Sequence, residues 1–256
     1  MIDLHSHILH GIDDGSRSLA QSIQTMRMMV AAGVTDLVAT PHLRAGNIDT
    51  RGEETIERRD LLLEELRQHA PPPLQLHAGF EIMLDAVVPA HALEDRRYAV
   101  AGSQYYLVEF PTSVGTSPAS AALAALVQAG VTPLVAHPER YHVCRVRDFQ
   151  SWVGMGAVLQ VDATSVTRPT SRGTMARRIV EAGLAHILAA DNHGDRRSLA
   201  TGRKYLESKG AVEAAHWLTT ENPKAILHDQ SISRIPPLKL KLGLGDRVRG
   251  WLREVR

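Results

Sequence analysis

Hydrophobic and polar positions along the chain fall into a repeated two-part pattern. Stretches with apolar residues at helical spacing cover about 17–31, 117–129 and 173–182. Each leads into one recurring phrase: AGVTDLVATPH at 32–42, AGVTPLVAH at 129–137 and AGLAHILAAD at 182–191. Glycine just past a helix accepts the left-handed backbone that ends it. The short apolar run that follows reads as a strand buried on both faces. Each run ends on a residue able to bind a metal: His42, His137 and Asp191.

Four further runs behave alike. Met1–Leu4 leads to His5, Leu74–Ala78 leads through Gly79 to Glu81, Tyr105–Val108 leads to Glu109, and Ala157–Val161 leads to Asp162. A charged helix is expected over about 52–69, stopped by the triple proline at 71–73. Helices alternating with strands predict an α/β fold with a parallel sheet, and polar residues gathered at the C-terminal strand ends predict a barrel. The count is about seven units, one short of the usual eight. An open doubly wound sheet is the alternative, and it would collect ligands at one crevice instead of from nearly every strand.

The expected organisation is one barrel over residues 1–230 and a basic tail over 231–256. In the tail, Asp246 is expected to cap a short helix with Val248, Trp251, Leu252 and Val255 on one face. Two readings stay open for it: a helix docked on the body, or a surface for peripheral contact with a membrane or an acidic partner.

Composition narrows the classes. At 256 residues and 44% hydrophobic, the chain can bury a full core, and a net charge of +1 makes no case for nucleic acid. The single cysteine, Cys144, excludes an internal disulfide and fits a reducing compartment. No apolar run approaches the roughly 18 residues of a membrane span, and the start lacks a secretion leader, so a cytoplasmic location is expected.

The opening MIDLHSHILHGIDDG is dense in metal-type ligands. Alternate strand residues point the same way, so His5 and His7 can reach one ion. With Asp14, His42, Glu81, Glu109, His137, Asp191 and His193 they make nine candidates, more than the three or four protein ligands of a zinc site. That excess suggests two or three ions sharing a carboxylate. Mixed imidazole and carboxylate suits Mn²⁺, Fe²⁺ or Zn²⁺ better than calcium, and such clusters serve phosphoryl transfer. Arg140, in AHPERY at 136–141, offers a fork for phosphate oxygens.

Other histidines carry less. His69, His77, His91, His186, His216 and His228 are expected at the surface or satisfied in the core, while His10 and His142 flank motifs and are candidates for substrate contact. A cysteine-phosphatase loop needs arginine six positions after the cysteine, and position 150 is Gln150. Neither a G-x-x-x-x-G-K-[ST] nucleotide loop nor a G-x-S-x-G elbow occurs.

HSHILHGIDDG (5–15), ATPH (39–42), GFEIML (79–84), LVEF (107–110), AHPERY (136–141) and ADNH (190–193) together resemble the PHP superfamily of polymerase-associated domains and histidinol phosphatases. The likeness runs from Met1 to about Gln230 and is strongest to manganese-dependent bacterial protein-tyrosine phosphatases of capsule and exopolysaccharide operons. It implies a distorted (β/α)7 barrel of TIM type with a trinuclear centre. His5, His7, Glu81 and Asp191 would hold one ion. Glu81 would bridge to a second with Glu109 and His137, and Asp14, His42 and His193 would hold a third. Mn²⁺ is the expected metal, with Fe²⁺, Zn²⁺ or Mg²⁺ as alternatives. Arg140 would bind the phosphoryl group, and His42 or Asp14 would meet the leaving oxygen. Metal-activated water would attack phosphorus directly. The implied substrate is the phosphotyrosine tail of a membrane-associated tyrosine autokinase. Rival readings are a phosphatase for histidinol phosphate or another small molecule, and an amidohydrolase-type metal hydrolase. Against the common amidohydrolase form, whose bridge is a modified lysine on a middle strand, the chain has no lysine before Lys204.

Overall fold

A computed structural model describes residues 1–241. Its strands are β1 (Ile2–Ser6), β2 (Asp36–Ala39), β3 (His42–Arg44), β4 (Gln75–Ala78), β5 (Glu81–Met83), β6 (Tyr105–Glu109), β7 (Thr132–Ala136), β8 (Val158–Asp162) and β9 (Ile187–Ala189). The helices are α1 (Leu19–Ala31), α2 (Ile48–His69), α3 (Ala90–Glu94), α4 (Thr116–Gln128), α5 (Val146–Gly154), α6 (Ser171–Glu181), α7 (Leu199–Ser208), α8 (Val212–His216) and α9 (Asn222–Leu227).

Every named strand pairing is parallel. One sheet runs β1-β2-β4 and the other β3-β5-β6-β7-β8-β9. β2 and β3 are two halves of one strand position, interrupted at Thr40-Pro41, where proline has no amide to give the ladder. β4 and β5 share another, interrupted at Gly79-Phe80. Counted so, the nine segments fill seven positions. The ring closes between β9 and β1: Asp191 N donates to His5 O at 3.1 Å and His7 N donates to Asn192 O at 2.8 Å. The buried Asp3 carboxylate ties the same seam, accepting from Ala190 N at 3.1 Å. The expected α/β fold of seven parallel strand positions is thus the arrangement found, and the contacts between β9 and β1 are consistent with a barrel.

The strands are apolar on both faces because both faces are covered. Leu4, Val38, Leu107, Leu134 and Ile187 belong to one inner cluster. Their neighbours Leu37 and Ala39 turn instead toward Met26 on α1 and Leu63 on α2. The repeated phrase has the geometry its glycine suggests: after the helices, Gly33, Gly130 and Gly183 take φ of 90°, 84° and 68°, open to a residue without Cβ.

After α9 the chain runs back over the body without regular structure. Leu238 N donates to Glu181 O at 2.9 Å and Lys241 N to Lys209 O at 3.0 Å, while Ile235 and Leu240 are buried. The short helix expected around Val248–Val255 lies outside the described residues. No described helix is long and apolar enough to cross a membrane.

Candidate metal centre

Strand ends gather the ligands. His5 and His7 flank the end of β1, His42 and Glu81 open β3 and β5, Glu109 ends β6, and His137 and Asp191 follow β7 and β9. Parallel register sets His42 beside Glu81. His137 and Asp191 adopt φ of 33° and 48°, a left-handed backbone that costs a non-glycine residue about 1 kcal/mol. The turn swings both side chains off the strand direction. Asp14 arrives from the first loop, which packs so tightly on β1 that a Cβ on Gly15 would lie 2.1 Å from His7 O.

Three groups of donor atoms converge: His5, His7, Glu81 and Asp191; His42, Glu81 and Glu109; and His7, Asp14, His42 and His193. His5 Nε2 lies 3.2 Å from both His7 Nε2 and Glu81 Oε2, and 3.3 Å from Asp191 Oδ1. Donors about 2.1 Å from one ion stand roughly 3–3.5 Å apart, so the spacing fits a shared cation. Glu81 faces both ways. Its Oε2 is 3.1 Å from His42 Nδ1, and its Oε1 is 2.9 Å from His137 Nε2. His137 is also 3.8 Å from Glu109. His42 is shared too, its Nε2 standing 3.4 Å from Asp14. The ends of the cluster differ in exposure: His5 and Glu81 are fully buried, while Asp14 is exposed.

Hydrogen bonds behind the ligands fix which nitrogen faces inward. His5 Nδ1 meets Gln160 Oε1 at 3.0 Å, His7 Nδ1 meets Asp13 Oδ2 at 2.7 Å, and His193 Nδ1 meets Asp191 O at 3.0 Å. Each acceptor takes the outer N–H and leaves the inner Nε2 lone pair free, as a metal ligand requires. Glu81 Oε2 and Glu109 Oε1 are buried without a hydrogen bond, a costly arrangement unless a cation satisfies them. The residues present therefore fit a group of divalent metals.

The electrostatics agree. Burial alone would raise Glu81 and Asp191, but the surrounding histidines, with Arg140 also beside Asp191, hold both carboxyls well below the usual range. Burial opposes charge on His42, yet Glu109 and Glu81 push it up to about 10. These carboxylates thus stay charged and attract positive charge, held by protons on the histidines until a cation takes their place.

Arg140 forms one wall of the site. Its Nη2 donates to Asp162 Oδ2 at 3.1 Å and also to Asp191. Asp162 is pinned in turn by Thr164 N at 2.7 Å. Next to it Glu139 is buried, and burial with the Asp162 charge raises its carboxyl to about 8. Glu139 Oε1 accepts from Asp162 N at 3.0 Å. A second arginine, Arg197, donates to Asp191 Oδ2 at 3.2 Å.

All nine candidate ligands and Arg140 thus come together. Sequence reasoning missed Asp13, Gln160 and Arg197. Asp13 stood beside Asp14 in GIDDG, and Gln160 is a polar residue inside an otherwise apolar strand; both were readable signals. Arg197, one of many arginines, gave none. Of the flanking histidines, His10 turns to Glu65 at 3.5 Å and His142 is exposed. His186 is a satisfied core histidine whose Nδ1 accepts from Leu159 N at 3.1 Å. His77 pairs with Asp36 at 3.1 Å, and His69, His91, His216 and His228 lie at the surface. Cys144 is buried, and burial raises its thiol.

Comparison with known proteins gives a consistent set. Residues 1–228 match the family described as "Capsular polysaccharide synthesis, CpsB/CapC". The tyrosine-protein phosphatase CpsB of Streptococcus pneumoniae is 31% identical over 250 residues, covering 91% of this chain and 100% of the relative. The tyrosine-protein phosphatase YwqE of Bacillus subtilis is 30% identical, covering 94% and 97%. A crystal structure from work on YwqE and CpsB, described as unique metal-dependent tyrosine phosphatases, superposes with a TM-score of 0.77 at 30% identity, over 94% of this chain and 100% of that one. A β-aspartyl dipeptidase of Fervidobacterium islandicum, 15% identical with a TM-score of 0.54 over 88% of this chain and 72% of its own, shares the fold alone.

Proposed function

The chain belongs to the CpsB/CapC family of capsular polysaccharide synthesis, and from that premise we propose how it works as a metal-dependent tyrosine-protein phosphatase. The observation that carries the reading is the convergence of nine ligands around Glu81, with Arg140 on the rim. His5, His7, Glu81 and Asp191 would hold one ion. Glu81, Glu109 and His137 would hold a second, and Asp14, His42 and His193 a third. His7 and His42 each stand within reach of two groups. Mn²⁺ suits this donor set, with Fe²⁺, Zn²⁺ and Mg²⁺ as alternatives. Such metals, when bound, supply hydroxide near neutral pH and offset the charge of the phosphoryl group.

The chain's own residues do the rest. Arg140 binds the non-bridging phosphoryl oxygens, its fork held in place by Asp162 and Asp191. Gln160 and Asp13 keep the His5 and His7 rings turned inward. At the open edge His42 or Asp14 would meet the tyrosyl oxygen as it leaves, donating only from a protonated form that is not then a ligand. That phenol has a pKa of about 10, so the demand on a general acid is modest. Water's oxygen forms the new bond to phosphorus, the bond to the tyrosyl oxygen breaks, and the phenolate takes up a proton. No side chain carries the phosphoryl group. Cys144 is buried, with a raised thiol, and has no arginine at the spacing of a phosphate loop.

The proposed natural substrate is the phosphotyrosine tail of a membrane-associated tyrosine autokinase, met at the cytoplasmic side. Chelation should abolish turnover of a phosphotyrosyl peptide, and added Mn²⁺ should restore it. Single turnover in H₂¹⁸O should place label in free phosphate and none on the protein. A trapped phosphoprotein, or turnover indifferent to chelation, would overturn this mechanism.

A further inference from the structure

Beside the metal cluster lies a groove of about 590 Å³ that shares Arg140 and its anchor Asp162 with the hydrolytic site and extends beyond them. Arg140 and Arg197 form its inner wall, and both bind Asp191, so the groove opens directly from the phosphoryl site. Arg168 and Arg172 form its outer wall, and two carboxylates, Asp162 and Asp195, also line it. Those two are already committed. Asp162 accepts from Arg140 at 3.1 Å, and Asp195 accepts from Arg197 Nε at 2.8 Å. The outer pair, both exposed, has no carboxylate partner among the described residues.

The outer wall is also built, not loose. The buried Arg177 donates to both Val166 O and Arg168 O at 3.0 Å, holding the segment before α6 against the helix. Arg168, whose backbone is held there, and Arg172, in the first turn of α6, carry two uncompensated guanidinium groups next to a phosphate-gripping arginine, a local field that selects negative charge. The groove volume lies within the range of small-ligand clefts.

We propose that this groove, through Arg168 and Arg172, binds an anionic side chain flanking the phosphotyrosine, so that the preferred substrate is an acidic phosphotyrosyl peptide. The inference rests on the phosphatase reading of the metal cluster. The anionic group is a carboxylate or a second phosphotyrosine, which the guanidinium fork accepts equally.

The test compares Mn²⁺-loaded wild-type protein with Arg168→Ala/Arg172→Ala and with the charge-preserving Arg168→Lys/Arg172→Lys. Four substrates are used: p-nitrophenyl phosphate and phosphotyrosyl peptides flanked by neutral residues, by glutamates, or by a second phosphotyrosine. Wild-type enzyme should favour the anionic peptides, chiefly through KM, and the preference should shrink with salt. The alanine pair should lower kcat/KM for those peptides by about three- to tenfold, as expected for two partly exposed ion pairs. It should leave p-nitrophenyl phosphate and the neutral peptide unchanged, and the lysine pair should keep most of the preference. Whichever anionic peptide shows the larger effect identifies the flanking group. Absence of a wild-type preference, or its survival in the alanine pair, overturns the proposal. So does an equal loss on p-nitrophenyl phosphate, which would place the two arginines in the fold. Failure of wild-type protein on all four substrates would instead overturn the phosphatase reading itself.

Discussion

Arg140 is gripped by Asp162 and Asp191, and that grip aims its fork. Arg140→Ala should lower kcat/KM on a phosphotyrosyl peptide by about 10²–10³ while metal content, measured by mass spectrometry, stays constant. Arg140→Lys should recover only part, because a point charge cannot replace a planar fork. Behind the ligands, Gln160→Ala or Asp13→Asn should weaken metal binding or activity by about 10- to 100-fold, read by Mn²⁺ titration. His186 provides a pH prediction away from the centre. Burial, with help from Arg234, lowers its pKa to about 4, against about 6.5 unfolded. Below 6.5 the unfolded chain takes a proton that the folded one refuses. Stability should therefore fall as pH drops from about 6.5 to 4, by up to about 3 kcal/mol. Urea unfolding of chelated His186→Asn, whose amide oxygen can accept from Leu159, should show a flatter dependence over that window. At this scale, residue types were legible because ligands lie at the ends of recognisable runs. Which nitrogen of His42 faces which carboxylate was not, since that depends on neighbours 39 and 67 positions away, Glu81 and Glu109.

Elements were legible where local chemistry sets them. The glycine-ended helices and apolar strands stand where their pattern put them, and α1 begins at Leu19, capped by the Ser18 side chain accepting from Gln21 N. Two of the expected strands are each split into a pair, β2–β3 and β4–β5, a consequence of how Pro41 and Gly79 meet their neighbours in the ring. The segment after α9 was harder to read. Its attachment runs through the buried Asn222, whose Nδ2 donates to His186 O and Ser233 O at 2.8 Å and whose Oδ1 accepts from Ser233 N at 3.0 Å. Nothing local in the sequence links Asn222 to Ser233. Asn222→Ala should cost about 2–4 kcal/mol in urea unfolding, since three hydrogen bonds go and buried partners are left unpaired. A loss below about 0.5 kcal/mol would show that the segment holds by other contacts.

For the molecule as a whole, the barrel explains why ligands scattered from position 5 to position 193 can act together. Seven strand positions in a closed parallel ring send every C-terminal end to one face, and β1 and β9 meet there through His5, His7, Asp191 and Asn192. A ring of this kind tolerates many chemistries, so the fold alone does not choose between phosphotyrosine, a small phosphate ester and an amide. The arginine on the rim favours a phosphoryl ester over an amide, and among such esters the relatives named tyrosine-protein phosphatases favour phosphotyrosine. The most direct measurement is kcat/KM on a phosphotyrosyl peptide and on histidinol phosphate, with Mn²⁺-loaded enzyme and chelated protein as control. The account predicts a clear preference for the peptide that chelation abolishes. A preference for histidinol phosphate, or no turnover of either by fully metallated protein, would contradict it.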